Sequence, residues 1–321
     1  MTNIRKIRVA VLSLFAVMFA LGFVTVSCQK EDNNLNGENG GYTHTNIVDG
    51  ALPGVFSVGD DCYVHFSQGN LQYTTTGTHA VAGGGTASGT WRFASNQWDT
   101  IGADNSNISS SYSGWIDLFG WGTSGWNSGT NAYQPYSTSF DSSDYYPGGS
   151  NANSLTGTYA NADCGVYNAI SNGGNQPGLW RTLTQVEWNH LINSRQTASG
   201  IRYAHATVNG VPGLIIVPDN WSTSIYNLDS TNISNADFNT NVLTSLQWGT
   251  LENAGCVFLP AEGYRNGSSV GLVGACGFYW STTSYNSGKV YCFVFSFLNI
   301  WASPNDTRYM GYSVRLVQDV N

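Results

Sequence analysis

Six cysteines and five histidines are the residues of this chain best suited to bind metal or to attack a substrate, and their spacing supports neither role. Cys28, Cys62, Cys164, Cys256, Cys276 and Cys292 include no Cys-x-x-Cys pair, and His44, His65, His79, His190 and His205 are scattered singly. The pattern of a zinc or iron–sulfur site is missing. No metal and no cofactor is expected, and each histidine reads as a surface or hydrogen-bonded structural residue. Asp60 and Asp61 are adjacent, so on a strand their carboxylates point to opposite faces. His-Glu-x-x-His does not occur, nor does a phosphate-cradling glycine loop followed by lysine. The two acids of a glycosidase can lie far apart in a chain, so spacing does not bear on that chemistry. No catalytic residue is expected. What the sequence offers is recognition chemistry. Tyr285-Asn286-Ser287, Tyr309 and Tyr312 concentrate near the C-terminus, and tyrosine gives contact area at low entropic cost beside small amide and hydroxyl groups.

Such residues need a folded platform, and the composition supplies one. The 321 residues carry 11 Trp, 18 Tyr and 14 Phe, far more aromatic surface than a disordered chain tolerates. Net charge is −8 with only 12 Lys and Arg, three of them in the first eight residues, so the surface repels phosphate and no nucleic-acid partner is expected.

Residues 1–27 read as a secretory signal. Arg5, Lys6 and Arg8 are its basic start, residues 9–23 its apolar stretch, and Val24-Thr25-Val26-Ser27 leads to Cys28. The apolar run falls short of the roughly 20 residues a spanning helix needs. Its ending resembles a lipobox, in which the cysteine becomes the lipid-bearing first residue of the mature protein, with Thr25 where the commonest pattern has Leu. Gln29-Lys30-Glu31-Asp32 is similar to the acidic export signal of some Gram-negative lipoproteins. Together these imply an outer-membrane lipoprotein exposed at the cell surface, tied to the membrane by acyl chains on Cys28. Residues 28–50, rich in Asn, Gly, Glu and Asp, read as an acidic flexible tether. With Cys28 acylated an odd number of cysteines remains, which cannot pair completely. Cys256 and Cys276 are the first candidates for a disulfide.

Residues 51–321 read as one α+β domain, loop-rich with short strands and two or three helices. Strand signals are the alternating runs at residues 62–66 and 70–73, then 204–208, 213–218, 256–260, 278–281, 290–297 and 312–317. Thr184-Gln185-Val186-Glu187 spells a capping box, followed by the apolar stripe of Trp188, Leu191 and Ile192, so a helix should end near Arg195. A shorter helix is expected over residues 164–170. Residues 100–178 lack periodicity and should be irregular, pinned by Trp115, Trp121, Trp126, Tyr133 and Tyr136.

Several blocks resemble a known family. Residues 180–188, Trp-Arg-Thr-Leu-Thr-Gln-Val-Glu-Trp, are similar to the "RLPTEAEW" block of the formylglycine-generating-enzyme branch of the C-type lectin fold. Residues 277–283 and 311–317 resemble its "G-x-YWSST" and "G-[FY]-S-V-R-L-V" closing blocks. Residues 66–73, 91–98 and 117–125 resemble the N-terminal part of lipoprotein relatives. Chain endings of this kind also resemble the variable proteins of diversity-generating retroelements, in which adenine-directed copying errors alter surface positions on a lectin-like scaffold. The resemblance implies a C-type lectin-like (formylglycine-generating-enzyme-like) fold and a ligand-binding surface, receptor- or adhesin-like, within about residues 277–317. Its partner would be a protein or glycan on another cell, a phage or a host. The alternatives are a fixed fimbrial or structural subunit, or an enzyme of the formylglycine-generating type. That enzyme uses a closely spaced copper-binding Cys pair, and Cys276 and Cys292 are far apart in sequence. The calcium loops of sugar-binding relatives, Glu-Pro-Asn or Gln-Pro-Asp with Trp-Asn-Asp, do not occur.

Alternation along residues 291–296 sends Tyr291, Phe293 and Phe295 to one face, expected to be core, and Cys292, Val294 and Ser296 to the other, expected to meet solvent. The expected ligand-binding face comprises Phe278, Tyr285, Asn286, Ser287, Cys292, Val294, Ser296, Leu298, Asp306, Thr307, Tyr309 and Tyr312. Codon logic adds a restriction. Adenine-directed change in an AAY codon cannot yield Lys, Met or Trp, so Lys289, Trp301 and Met310 are fixed or come from another template codon.

Overall fold

The computed structural model describes residues 48–126 and 133–320. The signal segment, Cys28 and most of the tether lie outside the described residues. The remainder is mixed α+β, with short strands in small sheets and few helices.

The two ends of the described chain meet in one sheet. Strands β1 (Phe56–Gly59) and β2 (Cys62–Phe66) form a hairpin, and β16 (Leu316–Asp319) pairs with β2 through Val317 opposite Phe66 and with β5 (Arg181–Thr182) through Leu316 opposite Thr182. A long hairpin of β3 (Leu71–Ala80) and β4 (Thr86–Phe93) follows. No strand is present between Phe93 and Arg181 among the described residues. The irregularity expected there is what the structure shows. Trp121 and Tyr133 are buried, whereas Trp115, Trp126 and Tyr136 are half-buried.

Three α-helices are described. The first, α1 (Cys164–Tyr167), is shorter than the sequence suggested and is capped by the Asp163 carboxylate, which accepts from Gly165 N at 2.9 Å. The second, α2 (Gln185–Asn189), carries the capping box: Thr184 Oγ1 accepts from Glu187 N at 3.2 Å, and Glu187 Oε2 accepts from Thr184 N at 2.7 Å. A wider π-type turn over His190–Ser194 continues it to Arg195. The third, α3 (Ser245–Asn253), has a second capping box at Thr244 and Gln247 that the sequence reading missed. Glutamine takes the place of glutamate there, and only Trp248 and Leu251 of the helix are buried, so its apolar stripe is thin.

A four-stranded sheet divides the core. Strands β6 (Tyr203–Val208) and β7 (Val211–Ile216) join through Asn209-Gly210, both at positive φ of 49° and 83°, which suits a tight hairpin turn. The edges are β8 (Val242–Leu243) and β9 (Val257–Pro260). Leu214, Ile216, Val257 and Leu259 pack into a first cluster with Phe66, Trp188, Tyr279, Phe293 and Phe295. Ile215, Val217 and Phe258 alternate into a second cluster with Trp248 and Leu251 of α3. Both faces are therefore buried, and the strands read as continuous apolar runs rather than alternating ones. Residues β10 (Tyr264–Asn266) and β11 (Ser269–Gly271) make a small hairpin.

The C-terminal sheet completes the platform. Strand β12 (Cys276–Ser284) pairs with β13 (Lys289–Ser296), whose other edge takes β14 (Asn299–Trp301) at one end and β15 (Asn305–Thr307) at the other. Trp188 of α2 stacks on Phe293 at 4.7 Å and donates from Nε1 to Trp280 O at 3.2 Å. The segment over residues 312–317, expected as one strand, is regular only from Leu316. Its earlier part makes single bridges, Tyr312 with Phe119 and Ser313 with Tyr279.

Candidate ligand-binding surface

Strand β13 is where the expected faces fail. Phe293 and Phe295 lie in the core as read, but Cys292, Val294 and Ser296 on the opposite face are buried too, with 2%, 1% and 0% of their surface exposed. Phe278 and Tyr312 are likewise fully buried. These five are corrections to the expected binding face. A second aromatic layer closes that side of the sheet. Phe278 stacks on Tyr312 at 4.8 Å, Trp280 lies 4.3 Å from the same ring, and Trp280 Nε1 donates to Phe119 O at 2.7 Å. Tyr312 Oη donates to Asp306 Oδ2 at 2.5 Å, and burial pushes both the Tyr312 phenol and the Cys292 thiol well above their usual ranges. The layer is formed by Phe278 and Trp280 of β12 with Tyr312, which the Phe119 backbone holds in place, and alternation within β13 cannot reveal it.

The seven other expected residues are accessible. Tyr285, Asn286 and Ser287 are exposed, while Leu298, Asp306, Thr307 and Tyr309 are half-exposed. The structure gathers six of these at one end of the sheet. Leu298 follows the far end of β13, about 25 Å away at the rise of an extended strand.

The gathered end is built from the β12–β13 turn upward. Asn286 Oδ1 accepts from Gly288 N at 3.1 Å and Lys289 N at 3.2 Å, a side-chain clasp that shapes the turn. Tyr285 meets Tyr291 edge-to-face at 5.1 Å. Pairing of β13 with β15 sets Thr307 opposite Lys289. From the irregular region, Ser142 Oγ donates to Gly288 O at 3.3 Å and Tyr146 Oη donates to Ser287 O. Phe140 meets Tyr309 at 5.9 Å and is 63% exposed. The result is an arc running from Phe140 and Tyr309 through Thr307 and Lys289 to Tyr285 and Tyr291. Phe140 and Lys289 were not expected in the site. Phe140 sits in a Gly/Ser/Asn-rich stretch whose docking position only the tertiary fold decides.

Arg308 holds the arc in place from beneath. It is fully buried, and its Nη2 donates to Asn151 O at 2.5 Å, Ser284 Oγ at 2.8 Å and Asn286 O at 3.2 Å.

The remaining reactive groups are spent inside. Cys164, Cys256, Cys276 and Cys292 are buried free thiols, so the Cys256–Cys276 disulfide is not formed. His65, His79, His190 and His205 each hydrogen-bond, to Gly54 O, Gly89 O and Asn168, Ser57, and Ser296 O respectively. The expectation that no G-x-S-x-G occurs is corrected by Gly267-Ser268-Ser269-Val270-Gly271, which has that form. Its Ser269 lies exposed on the β10–β11 hairpin, away from any strand-to-helix elbow. Among the described residues, no group of three or more His, Cys, Asp or Glu is placed to hold a metal ion.

Asp117 and Glu262 form the most unusual buried group. Neither is exposed, the charge of each acts on the other, and Glu262 Oε1 finds no hydrogen-bond donor among the described residues. Glu262 Oε2 accepts from Asn70 Nδ2 at 2.9 Å and Ser313 Oγ at 2.6 Å, while Asp117 accepts from Ile101 N at 2.8 Å and Asn105 Nδ2 at 2.7 Å. Burial and the adjacent Asp117 charge push Glu262 well above the usual carboxyl range, and burial raises Asp117 as well. Two buried carboxyls whose charges repel in this way favour keeping one of them protonated.

Comparison of the chain with protein-family models, with curated proteins and with solved structures returned no match.

Proposed function

We propose that this chain is a surface-displayed binding protein of the C-type lectin-like type, anchored to the outer membrane through lipid on Cys28. The arc of Tyr285, Asn286, Ser287, Asp306, Thr307 and Tyr309, with Phe140, Lys289 and Tyr291, is its recognition surface. One observation carries the reading: aromatic and small polar side chains are concentrated in the open at the end of a sheet buried on both faces. Rigid tyrosines flanked by amides and hydroxyls are the chemistry of adaptable paratopes. The ligand is a protein or glycan on a cell, phage or host surface. Diversification of the arc by a retroelement completes the proposal, because a buried platform lets the accessible positions change without loss of fold.

The test is binding of the full chain and its Tyr285→Ser/Tyr309→Ser variant to arrays of glycans and to intact cells. The reading predicts at least one ligand whose affinity falls about tenfold or more in the variant, since aromatic anchors dominate such interfaces. Unchanged binding in a variant of unchanged melting temperature would overturn it.

A further inference from the structure

A cleft of about 490 Å³ opens beside the β3–β4 hairpin, lined by Gln72, Arg92, Trp98, Asp99, Thr100 and Asn209 among others. Its volume falls in the range of small-molecule sites. None of these residues belongs to the arc.

Its central feature is a guanidinium fixed in position without an anionic partner. Gln72 and Arg92 face each other across the hairpin, and Arg92 Nε donates to Gln72 Oε1 at 2.9 Å. The guanidinium carbon lies 3.6 Å from the centre of the Trp115 ring, a stacking distance. The ion pairs among the described residues are made by Arg181 and Arg195, so Arg92 has no carboxylate within 4 Å there. Partial burial lowers its pKa, with nearby Asp99 opposing the shift. Asp99 makes its hydrogen bonds through Oδ2 alone, accepting from Asn96 N at 2.9 Å and Asn96 Nδ2 at 3.0 Å. Arg92 is thus held by Nε and by one ring face, which leaves its terminal nitrogens for a ligand. A planar fork of this kind matches a carboxylate bidentately.

The other walls narrow the class. Trp98 is half-exposed and packs against the second core cluster, so it offers a braced apolar face. Thr100 and Asn209 bring a hydroxyl and an amide, and Asn209 is held in position by the β6–β7 turn. An aromatic face, hydroxyl-seeking polar groups and one unpaired guanidinium are complementary to a sugar ring bearing a carboxylate. We propose that this cleft binds an acidic saccharide unit, with Arg92 taking its carboxylate and Trp98 its apolar ring face.

The test is calorimetric titration of the full chain with galacturonate and, as a control, galactose. The proposal expects saturable binding of galacturonate at least tenfold tighter than of galactose, lost in Arg92→Gln and weakened severalfold in Arg92→Lys. Because Arg92 also braces Trp115, Asn209→Gly serves as a second variant that keeps the positive-φ turn, and it should weaken galacturonate severalfold at unchanged melting temperature. Equal affinity for both sugars, absence of binding by the wild type, or undiminished binding in a folded Arg92→Gln would overturn it. The Tyr285→Ser/Tyr309→Ser variant should bind galacturonate as the wild type does, which separates this site from the arc.

Discussion

Arg308 lies with its guanidinium carbon 4.5 Å from the centre of the Trp121 ring, fully buried, directly behind the turn that carries Tyr285, Asn286 and Ser287. Its Nε and Nη1 find no hydrogen-bond acceptor among the described residues, so the aromatic face is their main compensation. Its Nη2 ties the main chain of residues 151 and 286 together. The candidate surface therefore rests on a single cation between the irregular segment and the C-terminal sheet.

Replacement of Arg308 by Leu should cost about 1–3 kcal/mol, because it removes the three hydrogen bonds from Nη2 and leaves Asn151 O and Asn286 O only their bonds from Ser284 Oγ and Lys289 N. The amides of residues 285–289 should lose exchange protection before the rest of the molecule. Hydrogen exchange read by mass spectrometry checks both, and uniform protection across the chain would contradict this role.

The two-sided burial of β13 makes opposite predictions for neighbours on the sheet. Ser296→Leu should destabilise by about 1–3 kcal/mol, since it adds bulk to a site with no exposed surface. Thr307→Ala, at a half-exposed position, should change stability by no more than about 0.5 kcal/mol. Trp188→Ala should cost about 3–5 kcal/mol through the loss of its stack on Phe293. Denaturant midpoints rank the three directly.

The Asp117–Glu262 pair predicts the direction of pH dependence. Glu262 has its folded-state pKa raised, so the folded state keeps a proton that the unfolded chain releases. Its contribution to stability is complete below the ordinary glutamate pKa of about 4.3 and is lost as pH rises toward the folded value. Glu262→Gln keeps an acceptor for Ser313 and Asn70 but cannot ionise. Melting temperatures measured from pH 4 to pH 8 should show a loss with rising pH in the wild type that is smaller in the variant. Parallel profiles would refute the retained proton.

At the start of α2, Thr184→Ala should cost about 1 kcal/mol by removing one half of the capping box. Thr184→Ser should restore most of it, as measured by denaturant unfolding.

Much of this arrangement was legible in the sequence where local chemistry decides structure. Thr184 and Glu187 announced α2, and the apolar runs at residues 213–218 and 256–260 announced strands. Tyr285, Asn286 and Ser287, expected on the accessible face, are exposed at the β12–β13 turn, where Asn and Gly decide the backbone locally. The faces of β13 were not legible. Alternation tells which residues share a side, whereas what covers that side is decided by Phe119 and Tyr312, distant in sequence. Phe140 was invisible for the same reason. The second helix box, Thr244 with Gln247, was missed because its helix buries little beyond Trp248 and Leu251.

The central claim is that a varied recognition surface sits on an invariant core, and sequencing the 3′ end of the gene across many cells of one population tests it most directly. The account predicts substitutions at the codons of Tyr285, Asn286, Ser287, Asp306, Thr307 and Tyr309, matched to adenines in a nearby template copy. It predicts none at Phe278, Cys292, Val294, Ser296 and Tyr312. A uniform 3′ end, or variation spread equally over buried and accessible codons, would contradict it.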